Sequence, residues 1–216
     1  MANNGLLPLT LGARREDQQL FLLRQRDPAF APFAEAVLIR DNYCCRFCGF
    51  KSRLRQAIVN IDGNYQHNQI ANLAVACPFC CQSIFLGMAS GQEPGGGKLI
   101  WMPEMTQGQL NSLVHMLFEV IYENNGGYGR AAQDLYRQLL ARADYLVKSL
   151  KAAFWSDTSS MIRYLMNTSQ EVQDNILAAM NKWVRLVPLY ADFVEATAEW
   201  VKESQESLGV TTQPAG

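Results

Sequence analysis

The chain carries no excess charge of either sign: 19 Lys and Arg stand against 20 Asp and Glu over 216 residues, a formal net charge of −1. Coating a nucleic acid by bulk electrostatics needs many uncompensated cations, so that class of function is disfavoured. No uninterrupted apolar run approaches the roughly 18 residues needed to span a bilayer, and the expectation is a soluble protein. The short apolar stretch near the N-terminus has no basic stretch ahead of it, which argues against a secretory signal. Cysteine is absent outside positions 44–81. A disulfide framework spread across a secreted fold is therefore not expected, and a reducing cytoplasm fits better. Histidine is scarce, with His67 and His115 the two in the chain.

What is present is two Cys-x-x-Cys pairs, Cys45-Arg46-Phe47-Cys48 and Cys77-Pro78-Phe79-Cys80, on either side of a short polar segment. Four thiolates supplied as two close pairs can close a tetrahedron around one zinc ion at sulfur distances of about 2.3 Å, leaving no open position for water or substrate. Such a site builds structure and does not catalyse. The spacing assigns Cys45, Cys48, Cys77 and Cys80 as ligands of one structural Zn2+, because a two-residue gap turns both sulfurs of a pair toward one ion. Cys44 and Cys81 abut the pairs as possible competitors. Six buried free thiols, or a redox dithiol at Cys77 and Cys80, are the competing readings. The redox one wants a βαβ context that is missing and leaves Cys45 and Cys48 unexplained.

Composition divides the chain into an N-terminal helical segment (1–40), a zinc module with its linker (41–97), a helical bundle (98–208) and a loose tail (209–216). In the first, Leu20, Phe21 and Leu23 predict a helix broken at Asp27-Pro28. Pro32, tolerated in a first turn, predicts a second with Phe33, Ala36 and Val37 at helical spacing. In the module, β-favouring residues from Ala57 to Ile61 and from Leu73 to Ala76 flank the turn chemistry of Asp62-Gly63-Asn64, and a helix is expected at the second cysteine pair. Gly91 to Gly97 reads as linker. Beyond Trp101 the pattern is helical. Leu110, Leu113, Val114, Leu117, Val120 and Ile121 mark one buried face, and Leu135, Tyr136, Leu139, Ala143, Leu146, Val147, Leu150 and Phe154 a long second helix. Thr168 and Glu171 suggest a capping box, and Pro188 the start of a last helix with Phe193, Val194, Ala198 and Val201 inward and an acidic face of Asp192, Glu195, Glu199, Glu203 and Glu206 against Lys202.

Arg40 to Gly49, Ile61-Asp62-Gly63-Asn64, Asn72-Leu73 and Cys77-Pro78-Phe79-Cys80 together resemble a zinc-containing HNH endonuclease motif, which implies a treble-clef module within a mainly α protein. The resemblance also shows a loss. The two positions before Ile61, where that family carries a metal ligand and a histidine, hold Val59 and Asn60; the position after the last cysteine, a histidine in the family, holds Cys81. Asn72 alone survives. Without an imidazole at these positions no group of suitable pKa activates water, so no enzyme activity is expected. His67 and His115 fall off the motif, and ordinary loop and helix roles are expected for them.

Over its whole length the chain is similar to the DotN (IcmJ) family of the Dot/Icm type IVB secretion system. That resemblance implies a non-enzymatic subunit at the cytoplasmic face of the inner membrane. It would bind the C-terminal extension of the coupling ATPase DotL, in an assembly that also carries IcmS, IcmW and LvgA and recruits effectors for export. A contrasting expectation is a catalytically inactive HNH-like protein that binds nucleic acid, drawn from the basic cluster Arg40, Arg46, Lys51, Arg53 and Arg55. Trp155, Trp183, Tyr190 and Trp200 are the aromatic candidates for a protein interface, though aromatics at helical spacing are more often core.

Overall fold

The computed structural model describes residues 5–89, 96–150 and 158–209. Phe154, Trp155, the linker residues 91–95 and most of the tail lie outside the described residues.

Helix α1 (Arg15–Gln25) turns Phe21 inward and leaves Leu23 exposed. Asp27 ends the segment as expected, its carboxylate accepting from the Ala29 amide at the head of a short 3-10 turn. Helix α2 (Ala31–Arg40) carries Pro32 in its first turn. It buries Val37 while Phe33 and Ala36 stay exposed, so its inward stripe is narrower than the sequence pattern suggested. Strands β1 (Ala57–Asn60) and β2 (Leu73–Ala76) pair antiparallel, Ala57 opposite Ala76 and Asn60 opposite Leu73. Val37 of α2 packs with Ile58, Leu73 and Val75 of this pair. Cys77 then caps helix α3 (Pro78–Ile84), where Pro78 fills the first-turn position that needs no amide donor.

The carboxyl half is helical but not wholly so. Strand β3 (Gly97–Trp101) precedes helices α4 (Gln107–Glu123), α5 (Gly127–Ala141), α6 (Ala143–Leu150), α7 (Thr158–Met166) and α8 (Gln170–Trp183). Strand β4 (Val184–Pro188) and helix α9 (Val194–Ser207) complete it. β3 and β4 pair antiparallel, Leu99 opposite Leu186. Pro188 thus closes a strand instead of opening a helix; lacking an amide donor, it is tolerated where a ladder ends. Helix α9 begins at Val194 and buries Phe193, Ala196, Thr197, Trp200 and Val201, with Val194 itself exposed. The long second helix is interrupted at Arg142, whose Nε donates to the Trp101 carbonyl of β3 at 2.8 Å. Thr168 and Glu171 form no capping box: Ser169 is the N-cap of α8, and no side chain caps it. The reciprocal box sits at Thr106 and Gln109, at the head of α4.

Two large cores result. One gathers the two cysteine pairs with Phe79, Leu110, Val114, Phe118, Tyr136, Phe193 and Trp200. The other is aliphatic, built from Leu99, Leu146, Met161, Ile162, Leu165, Leu177 and Leu186. The N-terminal strap ties them together. The Leu7 amide donates to the Arg46 carbonyl, the Gly12 amide to the Ser83 carbonyl, and Leu11 is buried in the aliphatic core.

Candidate metal centre

The first cysteine pair sits in a tight knuckle, in which the Gly49 amide donates to the Cys45 carbonyl at 2.9 Å and the Cys45 amide to the Phe50 carbonyl at 2.8 Å. Gly49 adopts φ +81°, a left-handed conformation that a Cβ disfavours. The knuckle is pinned to β2 by the Arg46 amide donating to the Val75 carbonyl at 2.9 Å. Asp41 holds the same junction, accepting from Arg40, Arg46 and the Val75 amide. Burial raises the pKa of this carboxyl, but these donors outweigh it and leave the group below the usual carboxylate range. The second pair is placed by α3, with Cys77 just ahead of the helix and Cys80 in its first turn.

All four sequence-assigned sulfurs come together. Cys45, Cys48, Cys77 and Cys80 are buried, and their sulfurs lie within 4.8 Å of one another. The Cys48 and Cys77 sulfurs are 3.6 Å apart, against the separation of about 3.8 Å that a regular tetrahedron with 2.3 Å metal–sulfur bonds requires. None of the six cysteines is in a disulfide. Burial disfavours charge on Cys45, yet the three neighbouring sulfurs more than offset it and pull its pKa well down. Cys77 and Cys80 are pushed up, first by burial and then by the surrounding sulfurs. Sulfurs packed this closely cannot all be charged unless a cation stands between them, so the donor set fits a thiophilic divalent ion such as zinc. Cys44 and Cys81 stand apart from the cluster. Cys44 Sγ lies 3.3 Å from the Gly49 carbonyl, while Cys81 is buried behind the site with its thiol pKa raised by that burial.

Helix α4 closes the centre from the other side. His115 is buried, its ring parallel to Phe50 at 3.6 Å and to Phe79 at 3.9 Å. Its Nε2 lies 3.3 Å from Cys77 Sγ, and burial holds its pKa down at about 3, so the imidazole is neutral. One turn earlier the Asn111 amide nitrogen is 3.3 Å from Cys80 Sγ. Asn111 escaped the sequence reading, and His115 was expected to have only an ordinary helix role. The signal was there, since Asn111 and His115 fall four apart on the same apolar stripe as Leu110, Val114 and Phe118. The close approach depends on Gly108, where a Cβ would lie 2.4 Å from the Phe47 carbonyl oxygen.

The HNH-motif positions are filled otherwise. Val59 and Cys81 are buried, and Asn60 donates to the Asn64 and His67 carbonyls at 2.8 Å each. Asn72 donates to Asp62 Oδ1 and to the His67 carbonyl, and its own Oδ1 accepts from the Asp62 amide. His67, expected off the motif, bonds through Nδ1 to Asp62 at 2.7 Å. Asp62, His67 and Asn72 thus brace the loop between β1 and β2. The basic cluster is largely spoken for within the chain: Arg40 and Arg46 pair with Asp41, and Arg55 with Glu199 of α9. Glu203 accepts from the Ser52 hydroxyl and the Arg53 amide. Of the acidic face expected on the last helix, Glu199 and Glu203 thus meet the chain's own segment just after the first cysteine pair, while Glu206 pairs with Lys202.

No family model matches the chain. A curated protein from Legionella pneumophila (strain Philadelphia 1), the type 4 apparatus protein DotN, is 36% identical over 192 residues, covering 88% of this chain and 87% of that one. The chain belongs to the DotN family. A match over 88% of this chain and 87% of the other concerns most of the architecture and not a single motif. Among the described residues, no helix of this DotN relative is long and apolar enough to cross a membrane.

Proposed function

We propose that this protein is a non-enzymatic structural and adaptor component of a type IVB secretion apparatus, and that it binds the C-terminal extension of the coupling ATPase DotL. It would serve alongside IcmS, IcmW and LvgA in effector export, held at the cytoplasmic face of the inner membrane through that partner. The near full-length similarity to DotN carries the proposal. A single zinc ion bound by Cys45, Cys48, Cys77 and Cys80 is its structural element, supported by the sulfur cluster. Knuckle, hairpin and helix in that order support an HNH-like, treble-clef description of the region. Residues 1–40, 41–97, 98–208 and 209–216 remain the proposed segments, the shared core favouring zinc module and helices as joined pieces.

A scaffold role also suits the chemistry. Val59 and Cys81 are buried where a related nuclease would carry catalytic groups, and the His67 imidazole is engaged with Asp62. Binding of nucleic acid is disfavoured because Arg40 and Arg46 share the Asp41 carboxylate and Arg55 pairs with Glu199, which lowers the free positive charge of the cluster. Size-exclusion chromatography with light scattering tests the main reading. Purified protein and the DotL extension should elute as a stable stoichiometric complex, and co-elution no better than with an unrelated peptide contradicts it. Plasmid cleavage that needs a divalent metal and disappears on Asp62→Ala or Asn72→Ala substitution would overturn the non-enzymatic part.

A further inference from the structure

Helix α4 carries a buried polar stripe where the pattern calls for apolar residues. Gln107, Asn111 and His115 succeed one another at four-residue steps, and all three are buried. A buried polar group without a partner costs about 1–3 kcal/mol, so three in a line on a core-facing stripe need an account. Each is oriented by something specific. Gln107 forms a two-point contact with the backbone of β4: its Nε2 donates to the Leu186 carbonyl at 2.8 Å, and its Oε1 accepts from the Leu186 amide at 2.8 Å. The same Nε2 donates to Asn111 Oδ1 at 2.8 Å, which fixes the Asn111 amide so that its nitrogen faces Cys80 Sγ at 3.3 Å. His115 cannot swing, because Phe50 and Phe79 sandwich its ring at interplanar angles of 3° and 18°. Its Nε2 faces Cys77 Sγ, while Nδ1 is buried without a hydrogen-bond partner among the described residues. A metal-bound thiolate accepts and does not donate, so the arrangement selects the tautomer with the proton on Nε2.

We propose that Asn111 and His115 are positioning residues of the metal centre, donating N–H hydrogen bonds to the thiolates of Cys80 and Cys77 and so governing how tightly the ion is held. The inference rests on the reading that the four sulfurs bind a metal, and extends it to residues outside the cysteine pairs. Four thiolates around a divalent cation leave two negative charges in a buried site. N–H donors aimed at the sulfurs disperse that charge and orient the ligands, and loss of such partners typically weakens metal binding 10–100-fold. Because Gln107 links Asn111 to β4, the stripe also connects the ion to the sheet of the other half.

The test uses the full-length protein loaded with zinc or with cadmium-113. His115→Phe keeps the ring stack and removes the donor; Asn111→Leu keeps the volume and removes the amide. Each variant is expected to surrender zinc to a chromophoric chelator about 10–100 times more readily than the parent. In the cadmium-loaded parent, the His115 Hε2 proton should show scalar coupling to the metal through the Cys77 sulfur. That spectrum decides the matter without any substitution, should a variant fail to fold. A metal-loaded parent with no such coupling, or folded variants that release zinc at the parental rate, overturns the inference while leaving the metal site standing. A folded parent that binds neither ion overturns both.

Discussion

The two large cores differ in what holds them. The cysteine-side core packs bulky aromatic and aliphatic side chains around a cluster of sulfurs that can all be charged together only beside a cation, whereas the core of Leu99, Ile162, Leu177 and Leu186 is aliphatic and holds no such cluster. A structural zinc contributes roughly 10–16 kcal/mol of apparent folding free energy in small modules, comparable to the roughly 5–15 kcal/mol net stability of a whole domain. If the four sulfurs hold zinc as proposed, one core is conditional on an ion and the other is not. Since α4 and α9 pack in the same core as the cysteines, that dependence would reach well beyond the cysteine pairs.

Removing a ligand separates the cores most sharply. Cys77→Ser should abolish metal binding and cost on the order of 10 kcal/mol on the metal side. Amide hydrogen exchange should then show lost protection through β1, β2, α3 and α4, with protection retained in α8 and its neighbours. Unchanged protection throughout would erase the distinction. Leu186→Ala attacks the other core: the side chain is fully buried, and the expected cost is about 2–5 kcal/mol in denaturant unfolding, with zinc content as in the parent. Loss of zinc in that variant would mean that the two cores cannot be treated apart. Gly108→Ala presses on the seam between α4 and the first knuckle, where the added methyl meets the Phe47 carbonyl. About 1–3 kcal/mol of destabilisation is expected, measurable as a lowered melting temperature together with faster zinc release.

The smallest effect lies away from both cores, in the loop braced by Asp62. The Asn72 amide and the His67 imidazole hold the Asp62 carboxyl at about 2, and Asp62 in turn raises His67 above its ordinary 6.5. A raised histidine contributes stability that is complete below pH 6.5 and fades as pH rises through its folded value. The depressed carboxyl contributes above about pH 3.8 and loses its share on acidification toward pH 2. An NMR titration should place the His67 midpoint above 6.5, and Asp62→Asn should bring it back. A midpoint unaffected by that substitution would leave the loop without its brace.

The cluster of four cysteines was legible in the sequence because paired cysteines at fixed spacing state their geometry locally. Helices α1, α2 and α4 and the β1–β2 pair were legible for the same reason, since periodicity and turn chemistry are short-range signals. The β3–β4 sheet was not, because its strands are brought together across the helices between them and neither run is long enough to announce itself. Pro188 was read as a helix opener when only the pairing of Gly97 with Pro188 reveals a strand end. Thr168 and Glu171 had the residue types of a capping box, but Ser169 took the cap. His115 carried no local mark of its partner, because the Cys77 sulfur is 38 residues away in the chain. The ion pairs of Arg55 and Glu199 were hidden likewise: each partner was visible, and their meeting was not.

Metal content of the full chain, measured by elemental analysis beside native mass spectrometry, bears most directly on the whole. One tightly held zinc per chain is expected, with Cys45, Cys48, Cys77 and Cys80 shielded from alkylation until a chelator removes it. A folded, metal-free chain whose four thiols react freely, or pair as disulfides, would contradict it.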